Sequence, residues 1–248
     1  MTASAPATGT TLEQATAGTR AVEIKFTIRT DQQLHAVRLF ELERGDGEAR
    51  EVYFFDTPQL DLFRQGVILR ARLVKGGKDD STVKIRPVDP AKIGDDWKKR
   101  SGFKLEADAV GEKVVRSASL SAEQKAGEIR DVATGKRDLR KLFSLDQESF
   151  LAAYAPMKID FSKLKPLGPV QVLRWRFDQD DVPYDLTAEE WRLPDGKDLL
   201  EVSIKVEREE AAGAREIFET FLRGLGLDTE GAQETKTRVA LEYFAAKL

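Results

Sequence analysis

The residues able to do chemistry mostly come in pairs spaced two apart. Arg70 and Arg72, Lys84 and Arg86, and Arg174 and Arg176 are basic pairs; Glu23 with Lys25, Lys104 with Glu106, and Glu201 with Lys205 (four apart, across Ser203) mix the signs. Side chains at i and i+2 share one face of a strand, so each pair marks a charged face. The residues between them are apolar: Val22, Ile24 and Phe26; Leu69, Ala71 and Leu73; Leu173, Trp175 and Phe177; Val202, Ile204 and Val206. One such strand is ordinarily solvated on its charged side. Six of them suggest a closed sheet, greasy outside and charged within. Facing guanidinium and ammonium groups would repel severely there unless an anion shared the space. A barrel of about eight strands has room for one slim ligand. A linear polyphosphate suits it, with Arg and Lys on its oxygens and carboxylates holding a bridging divalent metal.

Composition narrows the alternatives. The chain has 248 residues, 41% of them hydrophobic, which can fill a core, and 40 basic against 43 acidic residues give a net charge of −3. A general nucleic-acid surface is therefore disfavoured, and any polyanion site must be a local concentration of cations. Without cysteine, disulfides and thiolate metal sites are excluded, and the lone His35 rules out a multi-histidine site within one chain. His35 reads as a solvated residue on a helix. No apolar run reaches the ~18 residues of a membrane helix. Residues 1–20 lack the basic start and apolar centre of a secretion signal and read as a disordered tail. Residues 21–248 read as one domain, and a cytoplasmic location is expected.

The elements that must position these pairs follow in order. Strands are expected at 21–28, 51–55, 67–73, 81–88, 103–109, 170–178, 183–193 and 200–207, eight in all. Gly76-Gly77-Lys78-Asp79-Asp80 marks a hairpin turn, and Asp56-Thr57-Pro58 another turn. Thr30 to Gln33 has the form of a capping box before a helix carrying Leu34, Val37 and Phe40. One or two helices are expected between Leu139 and Tyr154, and two more at 209–225 and 231–246. Residues 111–135 give no clear pattern. The expected class is α+β and predominantly antiparallel, an eight-stranded closed tunnel with helices packed on its outside.

In this order, Glu23-Ile24-Lys25, Tyr53-Phe54-Phe55-Asp56-Thr57-Pro58, Leu69-Arg70-Ala71-Arg72, Val83-Lys84-Ile85-Arg86, Arg174/Arg176 and Asp195-Gly196 before Glu201 resemble the CYTH family, the triphosphate tunnel metalloenzymes. The resemblance spans residues 20–246. It implies a tunnel that binds triphosphate groups with magnesium or manganese; members include inorganic, thiamine and RNA triphosphatases, class IV adenylate cyclases and polyphosphate polymerases. By position, Lys25, Arg70, Arg72, Lys84, Arg86, Arg174, Arg176, Lys205 and Lys236 would grip phosphate oxygens. Glu23, Glu106, Glu189 and Glu201 would hold metal or orient the attacking water, with Glu23, Glu189 and Glu201 as the metal ligands and Glu23, Lys25 and Glu106 as the catalytic residues. Two positions depart from the pattern: Ala21 replaces the first acid of Glu-x-Glu-x-Lys, and Ser203 the second acid of a later Glu-x-Glu. Each acidic pair has lost a member.

The expected activity is hydrolysis of a small triphosphate, with cyclisation of ATP or non-catalytic binding of a polyphosphate or nucleotide as alternatives. The expected partner is a small triphosphate or polyphosphate, with no general nucleic-acid binding and no membrane. Monomer and homodimer are both left open. Specificity would reside at the tunnel mouths, in loops such as 89–101 and 111–135.

Overall fold

The computed structural model describes residues 11–230 and 235–248. Nine strands form one closed sheet: β1 (Ala21–Ile28), β2 (Glu48–Asp56), β3 (Val67–Val74), β4 (Asp80–Ile85), β5 (Phe103–Val110), β6 (Lys113–Glu123), β7 (Lys165–Gln179), β8 (Val182–Arg192) and β9 (Asp198–Glu207). Around the barrel they run β1-β5-β6-β4-β3-β2-β7-β8-β9 and back to β1. The closed tunnel is as expected, but with nine strands in place of eight. The additional strand, β6, lies within residues 111–135, which show no clear pattern by alternation. A ring with an odd number of strands cannot alternate direction throughout, and the one parallel pair is β1 with β5, Glu23 opposite Asp108.

Alternation decides which side faces where. Along β1, Val22, Ile24, Phe26 and Ile28 are buried outward, while Ala21, Glu23, Lys25 and Thr27 take the inner face. Burying the outer face removes apolar area from water at about 25 cal/mol per Å², and the covering helices do this in two groups. α7 (Ala211–Gly224) and α2 (Gln33–Leu39) cover β1 and β9 through Ala214, Phe218, Leu222 and Ala36. α5 (Glu128–Ala133) and α6 (Leu145–Tyr154) cover β3, β4 and β6 through Ile129, Val132, Phe150 and Leu151. α8 (Lys236–Ala245) instead closes one end of the barrel, its Val239, Ala240 and Leu241 packing on the inner-face residues Val52 and Val170, of which Val52 lies opposite Arg72. Two one-turn helices, α3 (Asp61–Arg64) and α4 (Asp95–Lys98), sit in the loops. The Asp56 carboxylate is buried and accepts backbone N–H bonds from Thr57, Leu62 and Phe63 at 2.7–2.9 Å, which ties the β2–β3 connection to α3.

Two local expectations change. Residues 1–10 lie outside the described residues, but 11–20 do not form a loose tail. Thr11 caps a short helix, α1 (Leu12–Ala15), Leu12 packs on the outer core, Thr16 and Thr19 are buried, and the Arg20 N–H donates to the Leu105 carbonyl. The Thr30 capping box is absent: Thr30 to Gln32 is a 3-10 turn without a side-chain cap, and Leu34 is exposed. His35 is exposed, as expected. The last helix begins at Lys236, and 231–234, the start of the helix expected from 231, lie outside the described residues.

Candidate functional site

Every candidate site residue read from the sequence lines one cavity, the barrel lumen, of about 380 Å³. Glu23 and Lys25 enter it from β1; Arg70 and Arg72 from β3; Lys84 from β4 and Arg86 just after it; Glu106 from β5. Arg174 and Arg176 come from β7, Glu189 from β8, Glu201 and Lys205 from β9, and Lys236 from the first turn of α8. Register fixes the neighbours: Arg174 lies opposite Glu189, Glu189 opposite Glu201, and Glu23 opposite both Asp108 and Lys205.

Eleven basic side chains and five carboxylates line the lumen. Each of the five carboxylates is ion-paired. Lys25 Nζ lies 2.8 Å from both Glu23 Oε2 and Asp108 Oδ1, and Lys84 reaches the other Asp108 oxygen at 2.8 Å. Lys205 holds Glu106. Lys236 binds Glu189 and lies 2.8 Å from Glu201 Oε1, while Arg174 approaches Glu189 at 3.5 Å. Burial works against these charges, but the pairing wins. Lys25 and Lys84 hold Asp108 well below the ordinary carboxylate range, Lys236 does the same for Glu189, and Lys25 lowers Glu23. Asp108 and Glu23 raise Lys25, and Glu189 and Glu201 raise Lys236, in each case against burial.

The arginines are treated differently. Arg72 meets Asp80 at 2.8 Å and Arg50 meets Glu48, but among the described residues no carboxylate pairs with Arg70, Arg86 or Arg176. Arg70 Nε is buried without a hydrogen-bond partner. Burial, then the neighbouring Arg72, pushes Arg70 down to about 10, and burial lowers Arg86. A buried, idle donor calls for an acceptor.

Sequence reading missed several lumen residues. Arg50 precedes the expected start of its strand, although Glu48-Ala49-Arg50 continues the alternation of β2. Asp108 continues the alternation of Lys104 and Glu106 by one step, but its pairing with Lys25 depends on the parallel β1–β5 contact. Thr82, Ser119 and Ser121 also face the lumen, Thr82 and Ser121 sharing a 2.9 Å hydrogen bond. Ser203 is buried opposite Lys25, and Ala21 lies opposite Glu106. A larger cavity of about 940 Å³ adjoins one mouth and shares Arg86, Asp108, Val110 and Thr235 with the lumen. The two loop regions expected to shape the mouths supply part of it, Lys92 and Ile93 from one, Lys113 and Val115 from the other, facing Phe63, Tyr154 and Arg238.

The carboxylates were tested as a divalent-metal cage. Among the described residues no group of three or more His, Cys, Asp or Glu could hold a metal ion. Magnesium needs only one or two carboxylates when phosphates supply the rest, and Glu189 and Glu201 face each other. The space between them, however, holds the Lys236 ammonium, and Glu189 Oε2 also accepts from Trp191 Nε1 at 3.3 Å. As arranged, the donor set does not fit a metal.

No protein-family model matches the chain, and no curated protein matches its sequence. Solved structures do match its fold. A putative adenylyl cyclase from Hippeastrum, HpAC1, described as having a dominant triphosphatase activity, superposes with a TM-score of 0.62 at 17% identity, over 89% of this chain and 94% of that one. A putative adenylate cyclase from Bacillus halodurans gives 0.60 at 15% identity, over 89% and 97%. At such identities the likeness is one of fold. The closed mixed barrel with helices packed outside is the CYTH or triphosphate-tunnel architecture. Among the described residues no helix is long and apolar enough to cross a membrane.

Proposed function

We propose that the lumen binds the phosphate chain of a small triphosphate or polyphosphate and that the protein hydrolyses it. The observation that carries this reading is Arg70, a half-buried arginine whose Nε is buried and unpartnered, inside a cavity where eleven cations meet five carboxylates. Charged hydrogen bonds to phosphate would satisfy that donor and relieve the repulsion from Arg72. Arg70, Arg72, Arg86 and Arg176 would neutralise charge on the phosphoryl group as the leaving oxygen departs, the electrostatic part of phosphoryl transfer. Glu23 and Glu106 each spend one oxygen on a lysine, and the other would orient the attacking water. The mouth cavity would take whatever the phosphates are attached to. Magnesium or manganese, which the resemblance implies, would reach Glu189 and Glu201 only by displacing Lys236.

A second reading, non-catalytic binding of the same polyanion, is favoured by the ion-paired state of all five lumen carboxylates. A panel of tripolyphosphate, nucleoside triphosphates and thiamine triphosphate, each with magnesium, manganese or chelator, separates these readings. Orthophosphate release supports the hydrolase. Pyrophosphate with cyclic nucleotide indicates a cyclase, and saturable binding without product indicates a binder. No binding of any member ends the tunnel reading.

A further inference from the structure

We propose that the Lys236 ammonium does the work of a divalent metal in this tunnel, so that the phosphate chain is bound without one. The inference rests on the lumen being a phosphate site, as proposed above. Lys236 is the first residue of α8, and that helix is anchored to the barrel by Val239, Ala240 and Leu241, so its side chain enters from a fixed point. Its Nζ bridges Glu189 and Glu201, the two carboxylates paired across β8 and β9, and lies 5.2 Å from the Trp191 ring centroid. A divalent ion at this place would bind both carboxylates and present its remaining valences to phosphate. An ammonium has three donors. Two are taken by Glu201 and Glu189, and the third is left for a phosphate oxygen.

The neighbouring groups agree with this assignment. Glu189 is also approached by Arg174 and, at 3.9 Å, by Arg50, so its charge is shared among three cations. The two positions where further acids would build a metal site are Ala21 and Ser203, neither of which has a carboxylate. The excess of cations lining the lumen supplies the neutralisation that a metal would otherwise bring.

The test is calorimetric titration of tripolyphosphate into the full-length protein with EDTA and with manganese. Wild type is expected to bind in both, with affinities within about threefold after correction for manganese bound by the free ligand. Binding only with manganese overturns this inference and leaves the phosphate site standing. Binding in neither overturns both. Manganese alone is then titrated into wild type, Lys236→Ala and Lys236→Arg, with the free ion read by electron paramagnetic resonance. Lys236→Ala should gain a manganese site and make tripolyphosphate binding at least about tenfold manganese-dependent, and Lys236→Arg should do neither. A manganese site of equal strength in wild type and Lys236→Ala counts against the proposal. Should Lys236→Ala not fold, the wild-type comparison decides alone.

Discussion

The lumen has two contiguous walls of different chemistry. β8, β9, β1 and β5 carry all five lumen carboxylates, and lysines from β1, β4, β9 and α8 neutralise them. β4, β3, β2 and β7, with the residue after β4, carry the arginines, three of them without a carboxylate partner among the described residues. β6 separates the walls on one side with Ser119 and Ser121. The lysine–carboxylate wall is internally balanced and should contribute mainly to holding the empty protein in shape. The arginine wall is under repulsion and should contribute mainly to binding. Flexible ammonium groups suit local bridging, whereas rigid guanidinium forks suit phosphate oxygens.

The largest effect should therefore come from the arginine wall. Arg70→Met with Arg72→Met removes two sets of charged hydrogen bonds, each about 1.5–3 kcal/mol. Tripolyphosphate affinity should fall by about 100-fold or more in calorimetry, and normal binding by the double variant would break the distinction between the walls. On the other wall, Glu189→Gln should cost stability in denaturant titration. It removes a charge from a buried cluster, at about 3 kcal/mol when a partner is left uncompensated. The loss should be larger than any caused by the arginine changes.

Acid should act on the same wall. Asp108, Glu189 and Glu23 have folded values below their ordinary 3.8 and 4.5. Their contribution is complete above those values and is lost as the pH falls below them, because protons then favour the unfolded chain. The melting temperature should drop steeply below about pH 4.5, and Asp108→Asn should flatten that slope. A slope unchanged in Asp108→Asn would show that acid unfolding originates elsewhere.

Two smaller effects sharpen the picture. Deleting residues 1–19 removes the packing of Leu12 and the burial of Thr16 and Thr19 beside α7 and β6, at about 1–3 kcal/mol. An unaltered unfolding midpoint would mean that this segment contributes nothing to the fold. Arg70→Met alone should raise the melting temperature of the ligand-free protein, by about 2–4 °C per kcal/mol of relieved repulsion and burial. The folded value of Arg70 is depressed, so its charge opposes folding at every pH below about 10. A fall in melting temperature would show instead that its stem packs usefully.

Much of this was legible in the chain because strand alternation is a local rule. Each i, i+2 pair and the apolar residues between them fixed two faces, and once the apolar faces turned outward under helices, all the named charges had to meet inside. That is why all thirteen candidate residues line one cavity. Alternation is silent about neighbours. The parallel meeting of β1 with β5, which sets Asp108 beside Lys25, follows from closing nine strands into a ring, and β6 escaped notice because Lys113 to Glu123 mixes serine and alanine with few strong apolar positions. Residues 11–19 look featureless alone, since their few apolar and hydroxyl groups acquire value only against α7 and β6. The place of Lys236 was beyond sequence reasoning for the same cause. A lysine on a helix is ordinarily solvated, and only the packing of α8 across the barrel mouth brings its charge between two carboxylates some 35 and 47 residues away.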